Sequence, residues 1–326
     1  MARPIVLMAL QLDREQRDEA SQRLGGKARI HFFDELAARE FAELVPHVEI
    51  LVRYGMYKPF PDEVLRQMGK LRLIQLMSAG TQFLDEDPAV PNQARIQGAR
   101  GANSCAVAEQ AMAFVLTLAK SLPRFDRMIR SGLFDQRRTT RCLAESTIGV
   151  LGLGSIGAEI AKRAVAFGMR VQAIDVVQTS GLPLAFFGGL ESLDQVLRDV
   201  DFLVLSLPLT DETHNIIGER ELRLMKDDAC LVNVGRGPLV NERALYEHLL
   251  AHPAFQAGLD VWWSYPTEYA GELIESHWAY PFHYPFHLLE NVAMTPHMAA
   301  YSGQASHRMF QVVLARLEEE LARGLI

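Results

Sequence analysis

Residues 147–175 read TIGVLGLGSIGAEIAKRAVAFGMRVQAID and hold three glycines and an aspartate at spacings suited to a dinucleotide. Gly152 permits a tight turn, Gly154 lets the backbone approach a pyrophosphate, and Gly157 lets a helix pack closely on the preceding strand. Ser155 and Ile156 open that helix, whose unpaired amides attract an anion. Asp175 closes the next strand, where a carboxylate can accept both hydroxyls of a ribose. The glycine pattern alone is weak, and the order strand, turn, helix, strand, acid makes it strong. No Lys or Arg lies between Val176 and Leu197 to meet a 2′-phosphate. Asp175 would itself repel such a phosphate, so the cofactor expected here is NAD.

The elements that must position these residues come in two series. Short apolar runs at PIVLMAL, ARIHFF, VEILVR and LRLIQLM predict strands in the first hundred residues, with helical patterns such as Asp62 to Met68 between them. TIGVLGLG, RVQAID, DFLVLSL, ACLVNV, QAGLDV and NVAMTP predict a second series, separated by helices such as Ala158 to Phe167 and Glu242 to Leu250. Each series predicts a doubly wound parallel sheet. Ala106 to Leu118 is apolar nearly all round and predicts a buried helix linking the domains. The amphipathic SGQASHRMFQVVLARLEEELARG follows the second sheet with Met309, Val312, Val313 and Leu317 on one stripe. A lone helix forms no domain, so it is expected to cross back onto the first sheet.

Bulk properties narrow the partners. With 326 residues and 49% hydrophobic side chains, the chain can fill two cores. A net charge of −7 without a Lys/Arg block argues against a nucleic-acid partner and for a small molecule. Cys105, Cys142 and Cys230 are odd in number and lack metal-ligand spacing, which predicts core thiols in a reduced, cytoplasmic protein. The N-terminal RPIVLMAL runs directly into charged residues and reads as a first strand, neither a signal nor a membrane span.

Four motifs, VLGLGSIG, LSLPLTDETHNIIGERELRLMKDDACLVNVGRGPLV, AGLDV and MTPH, stand in an order in which the chain resembles the D-isomer-specific 2-hydroxyacid dehydrogenases. The resemblance covers nearly the whole length. It implies an α/β protein with a central Rossmann NAD-binding domain, residues 102–299, inserted in a flavodoxin-like substrate domain, residues 1–101 plus 300–326. It also implies a cleft between the domains that closes to exclude water, a 2-hydroxy or 2-oxo acid substrate, and a homodimer. By the same likeness Arg236 clamps the substrate, and a planar guanidinium suits both oxygens of a 2-oxo acid. His297 becomes the acid/base, since each hydride moved at the 2-carbon needs a matching proton on its oxygen. Pro208, Thr213, Val234 and Asp260 join the cofactor set. Ser78, Ala79 and Gly80 match the loop whose amides hold the substrate carboxylate, with Arg53 and Tyr54 at the end of the preceding strand.

The chain departs from the family in LDVWWSYP, where Tyr265 stands in place of the glutamate that pairs with the histidine. A carboxylate beside imidazole raises its pKa by about a unit or more, whereas a phenol can only orient the ring. His297 is therefore expected to be a poorer reservoir of protons at neutral pH. Three readings stand. Tyr265 orients His297 and 2-oxo acids are still reduced, with an acidic optimum. Alternatively, Glu268 or Glu272 returns a carboxylate to the same place. In the third, the chemistry needs no strong acid, as in the related formate dehydrogenases, whose extra N-terminal motifs are not visible in this chain. Beyond these stands an NAD(H)-sensing protein like the corepressors that share the fold, told apart by the lack of turnover.

Residues 259–287, LDVWWSYPTEYAGELIESHWAYPFHYPFH, gather Trp262, Trp263, Trp278 and other aromatics into a segment too rich in proline for one long helix. Its later part, ESHWAYPFHYPFHLLEN, predicts an aromatic flap packed on the NAD domain or a dimer partner, with a wall for an aromatic or bulky acid as the sharper reading. His283 and His287 have i, i+4 spacing, but Pro285 between them argues against a metal site.

Overall fold

The computed structural model describes residues 3–54, 61–81, 84, 87–177, 181–265 and 280–324. These fall into two compact units, one drawn from residues 3–103 and 302–324, the other from residues 104–265 and 280–301.

The first unit contains β1 (Ile5–Ala9), β2 (Arg29–Phe32), β3 (Ile50–Arg53), β4 (Leu73–Leu76) and β5 (Arg95–Gln97). They lie in the order β2-β1-β3-β4-β5, and each neighbouring pair is parallel. This is the flavodoxin-like order. β1, β3 and β4 are buried along their whole length, which a parallel sheet requires once both faces are covered. On one face Val6, Met8, Ile50, Val52 and Leu73 pack with Phe310, Val313, Leu314 and Leu317 of the Gly303–Arg323 helix. On the other face Leu7, Leu51, Ile74 and Leu76 pack with Val45, Leu65, Met68 and Leu84. The returning helix thus lies on the first sheet, as its apolar stripe predicted. Met309 and Val312 lie at the edge of that stripe, and Phe310 and Leu314 complete its buried part. Ser302 caps the helix through its hydroxyl, and Gly324 ends it with φ of +62°.

The second unit contains β6 (Thr147–Leu151), β7 (Arg170–Ile174), β8 (Phe186–Gly188), β9 (Phe202–Leu205), β10 (Cys230–Asn233), β11 (Gln256–Leu259) and β12 (Val292–Met294). Their order is β12-β11-β10-β9-β6-β7-β8, again with every pair parallel. β6 therefore sits at the point where connections depart in both directions, the ligand-binding position of a Rossmann sheet. The Ser104–Ala119 and Ser155–Ala166 helices cover one face, while Leu193–Asp199, Glu219–Leu224 and Glu242–Ala251 cover the other.

Several local expectations are corrected. β5 and β8 have three residues each and lie half-exposed at sheet edges; β5 leaves no apolar run to read, and the run around β8, LPLAFFGGL, is broken by Pro183, Gly188 and Gly189. The buried helix expected over Ala106 to Leu118 is present as Ser104–Ala119, and a second helix, Leu122–Arg130, follows it at a bend of 57°, where Ser121 turns left-handed at φ of +49° and Pro123 opens the new helix. Among the described residues, no single helix is long and apolar enough to cross a membrane. Only Cys230 is a core thiol, with burial pushing its pKa up to about 12. Cys105 is half-buried, its thiol held between Arg163 and Glu109, and Cys142 is exposed in the loop leading to β6.

Phe310 is fully buried between the returning helix and the first sheet. Phe310→Ala is expected to cost about 3–5 kcal/mol of unfolding free energy, read from the midpoint of a denaturant titration.

Candidate active site

Both sheets present their chemically equipped residues at the carboxyl ends of strands. In the second unit, Gly152 follows β6 with φ of +91°, and its amide donates to the Ile174 carbonyl at 2.8 Å. A Cβ on Gly157 would meet the Gly152 oxygen at 1.8 Å, so the Ser155–Ala166 helix can approach its strand only through that glycine. Gly154 differs, because a Cβ there would meet nothing within 4 Å and no side chain caps the helix. Exposed Gly154 and Ser155 and half-buried Ile156 therefore leave a helix N-terminus open to an anionic group. One oxygen of Asp175 accepts from the Leu153 amide at 2.5 Å and the other from the Val176 amide at 2.6 Å, which binds the carboxylate to the glycine turn. With about four lone-pair sites, the carboxylate retains acceptor capacity for a diol. Thr213 donates to the Pro208 carbonyl at 2.7 Å and accepts from the Thr210 amide at 2.8 Å, closing the loop after β9. Val234 is buried beyond β10, its amide on the Leu205 carbonyl at 3.2 Å. This constellation fits NAD: an open helix terminus for the diphosphate and an acid at the adjacent strand end for the ribose.

The ends of β10, β11 and β12 bring Arg236, Tyr265 and His297 together. Asn233 brackets the arginine loop, accepting from the Gly235 amide at 3.1 Å and donating to the Arg236 carbonyl at 2.7 Å. Arg236 also donates to the Gly235 carbonyl at 2.7 Å. Burial lowers the guanidinium pKa, and Tyr265 opposes the shift. The ring of Tyr265 lies 5.4 Å from that of His297 at a tilt of 43°, and its hydroxyl accepts from the Trp262 amide at 3.1 Å. His297 has φ of +57°, a left-handed conformation seldom taken by residues other than glycine. Burial pulls its pKa below the ordinary histidine value, with Arg236 acting in the same direction and Asp260 against it.

Asp260 is only 1% exposed, and its carboxylate accepts from the Thr295 hydroxyl at 2.6 Å and the Met298 and Ala299 amides at 2.9 and 3.1 Å. The residue expected to serve the cofactor thus also pins the turn that carries His297. This link is hard to read from the sequence, because Asp260 and Thr295 lie 35 positions apart. A Thr two residues before the histidine was the one available clue.

The first unit holds the other predicted residues at the ends of β3 and β4. Arg53 is 2% exposed and donates to the Tyr54 carbonyl at 3.2 Å. Burial lowers its pKa to about 10, against the attraction of Asp87 and Asp62. The Tyr54 hydroxyl reaches the Gln11 carbonyl at 3.4 Å. Ser78 donates to the Gly80 carbonyl at 3.0 Å, which folds Ser78, Ala79 and Gly80 into a tight turn after β4. Glu268 and Glu272 lie outside the described residues, as do His277 and Trp278. The described part of the aromatic stretch packs on the second unit, where Phe286 is fully buried and stacks on Trp263 at 5.4 Å. His283 pairs with Glu242 at 2.8 Å, and His287 stacks on Tyr280 at 4.2 Å.

A doubly wound sheet with this turn, acid and basic side chains at its strand ends defines a dinucleotide-binding protein. Residues 112–299 match the sequence profile of the D-isomer specific 2-hydroxyacid dehydrogenase, NAD binding domain. The hydroxypyruvate reductase of Thermotoga maritima is 31% identical over 93% of this chain and 95% of its own. A glyoxylate reductase of Pyrococcus horikoshii is 32% identical over 78% and 75% of the two chains. Among solved structures, the D-lactate dehydrogenase from Aquifex aeolicus complexed with NAD and lactic acid superposes with a TM-score of 0.75. It is 26% identical, over 98% of this chain and 96% of that one. The chain belongs to the D-isomer specific 2-hydroxyacid dehydrogenases, NAD-linked oxidoreductases, and NAD is its cofactor.

The two glycines separate binding from folding. Gly154→Ala should leave unfolding free energy within about 1 kcal/mol of the parent yet weaken NADH binding about tenfold, because its methyl enters the open space at the helix terminus. Gly157→Ala should cost about 3 kcal/mol or more, because its methyl overlaps the Gly152 carbonyl. Fluorescence titration with NADH and thermal unfolding would check both.

Proposed function

We propose that the chain interconverts a small 2-oxo acid and the corresponding D-2-hydroxy acid, with Arg236 as the substrate clamp and His297 as the acid/base. The observation that carries this reading is the convergence of Arg236, Tyr265 and His297 on neighbouring strand ends, with Tyr265 5.4 Å from the imidazole. Bound NAD supplies or accepts the hydride. The chain's own part is to fix the acid and to move a proton at its 2-oxygen. Arg236 offers parallel N–H donors to the carboxylate and the 2-oxygen, which a lysine cannot imitate. His297 gives a proton to that oxygen in reduction and takes it back in oxidation. Tyr265 replaces the family's carboxylate as a neutral group that orients the ring. Gly152, Gly154, Ser155, Ile156, Gly157 and Asp175 are the proposed cofactor contacts, with Pro208, Thr213, Val234 and Asp260. Ser78, Ala79 and Gly80, with Arg53 and Tyr54, are proposed to receive the substrate.

The names of the relatives indicate where to begin, with glyoxylate and hydroxypyruvate, and pyruvate, 2-oxoisocaproate and phenylpyruvate widen the panel. A homodimer is part of the proposal. Leu122, Ile129, Leu133 and Phe134 are 52%, 60%, 51% and 75% exposed on and after one helix, an apolar surface suited to a second copy. The unpaired thiols fit a reducing, cytoplasmic setting.

Because burial lowers the pKa of His297, its acid form is lost below the ordinary histidine value. Reduction should therefore decline as pH rises through an apparent pKa below about 6.5, while oxidation rises through the same value. A limb well above it would show a carboxylate at the imidazole, and no turnover with any acid would favour an NAD(H) sensor. Arg236→Lys should lower kcat/KM for the acid about a hundredfold, or about 2.7 kcal/mol, with the Kd for NADH changed less than twofold. Steady-state kinetics from pH 5 to 9 check both expectations.

A further inference from the structure

Trp262 lies two residues beyond Asp260, 4% exposed, and three loops of the site meet on it. Its indole Nε1 donates to the Thr295 carbonyl at 3.0 Å. The same carbonyl accepts from the His297 amide at 3.0 Å, closing a three-residue turn centred on Pro296. The indole therefore shares the oxygen that accepts from the His297 amide, beside the Asp260 carboxylate that holds the rest of the turn. The backbone amide of Trp262 donates to the Tyr265 hydroxyl at 3.1 Å. Its carbonyl lies against Gly237, the residue after Arg236, where a Cβ would meet the Trp262 oxygen at 2.1 Å. Phe282 supports the indole from the aromatic segment at a centroid distance of 5.4 Å.

We propose that Trp262 is a positioning residue for the reaction, holding the arginine loop, Tyr265 and the His297 turn in one register through its amide, carbonyl and indole N–H. The proposal rests on the acid/base reading of His297. His297 is in a left-handed conformation that its neighbours must hold, and the Thr295 carbonyl is, with the Asp260 carboxylate, where they do so. A donor from an aromatic ring suits this task, because the indole has few rotamers and is wedged between Phe282 and Trp263. Phenylalanine would fill most of the space without donating. The aromatic segment thereby acquires a reason within the described residues: it braces the indole.

Trp263 supplies the matched comparison. Its indole also donates to a backbone carbonyl, that of Val240 at 2.7 Å, and it also stacks in the aromatic cluster, but it makes no bond to the His297 turn. Trp262→Phe should lower kcat about tenfold with the KM for NADH within twofold of the parent. The pH limb of reduction should also move up towards the ordinary histidine value as the loosened imidazole gains water. Trp263→Phe, at a similar fall in Tm, should leave kcat and that limb in place. The assignment is overturned if Trp262→Phe lowers Tm alone, or if both variants lose turnover and shift the limb alike. Full turnover in His297→Gln overturns the acid/base reading instead, whereas turnover lost in His297→Gln and kept in Trp262→Phe overturns the role of Trp262 alone.

Discussion

A carboxylate almost wholly removed from water persists only where donors replace its hydration. Asp260 meets that condition with the Thr295 hydroxyl and two backbone amides, all from the turn that carries His297. The dependence is mutual. Without those donors the buried charge would be costly, and without the charge the left-handed His297 would lose what holds its backbone. Because Asp260 is itself fixed at the end of β11, whose core residues Ala257 and Leu259 are fully buried, the position of the imidazole is set by packing around the strand next to the sheet's edge.

The same logic runs along the whole edge of the second sheet. Asp175 spends part of its acceptor capacity on the glycine turn, Asn233 brackets Arg236, and Thr213 closes the loop after β9. The loops that follow these strands are held by polar groups of the loop itself, of its own strand or of a neighbouring strand. Catalytic geometry in such a fold is a property of the strand ends collectively, which explains why the residues that make it are scattered from position 152 to position 297.

Much of this was readable from local pattern. β1, β3 and β4 showed themselves as apolar runs, the helix over Ser155–Ala166 by its glycine turn, and the Gly303–Arg323 helix by a stripe that had no other partner. Tyr265 was legible as a departure because it stands in a motif with a fixed place. What escaped has a common cause, namely contact between distant positions. The Trp262 indole finds an oxygen 33 residues away, and Gly237 makes room for the Trp262 carbonyl, with nothing in either segment to announce the other. The exposure of Cys142 escaped for a different reason, because a residue type's habit of burial carries no information about the loop it occupies.

The placement of the Gly303–Arg323 helix bears on how the chain is made. Its Phe310, Val313, Leu314 and Leu317 complete one face of a sheet built from residues near the other end of the sequence. During synthesis, that face is covered only in part, by Ala20 and Leu24 of the Arg14–Leu24 helix, until residues 303–323 have emerged, whereas every strand of the second sheet is available earlier. Vectorial folding should therefore finish the nucleotide unit first and leave the first sheet as a late, aggregation-exposed intermediate. A ribosome stalled after the five strands of the first sheet and before residue 303 would display the uncovered part of that apolar surface to chaperones.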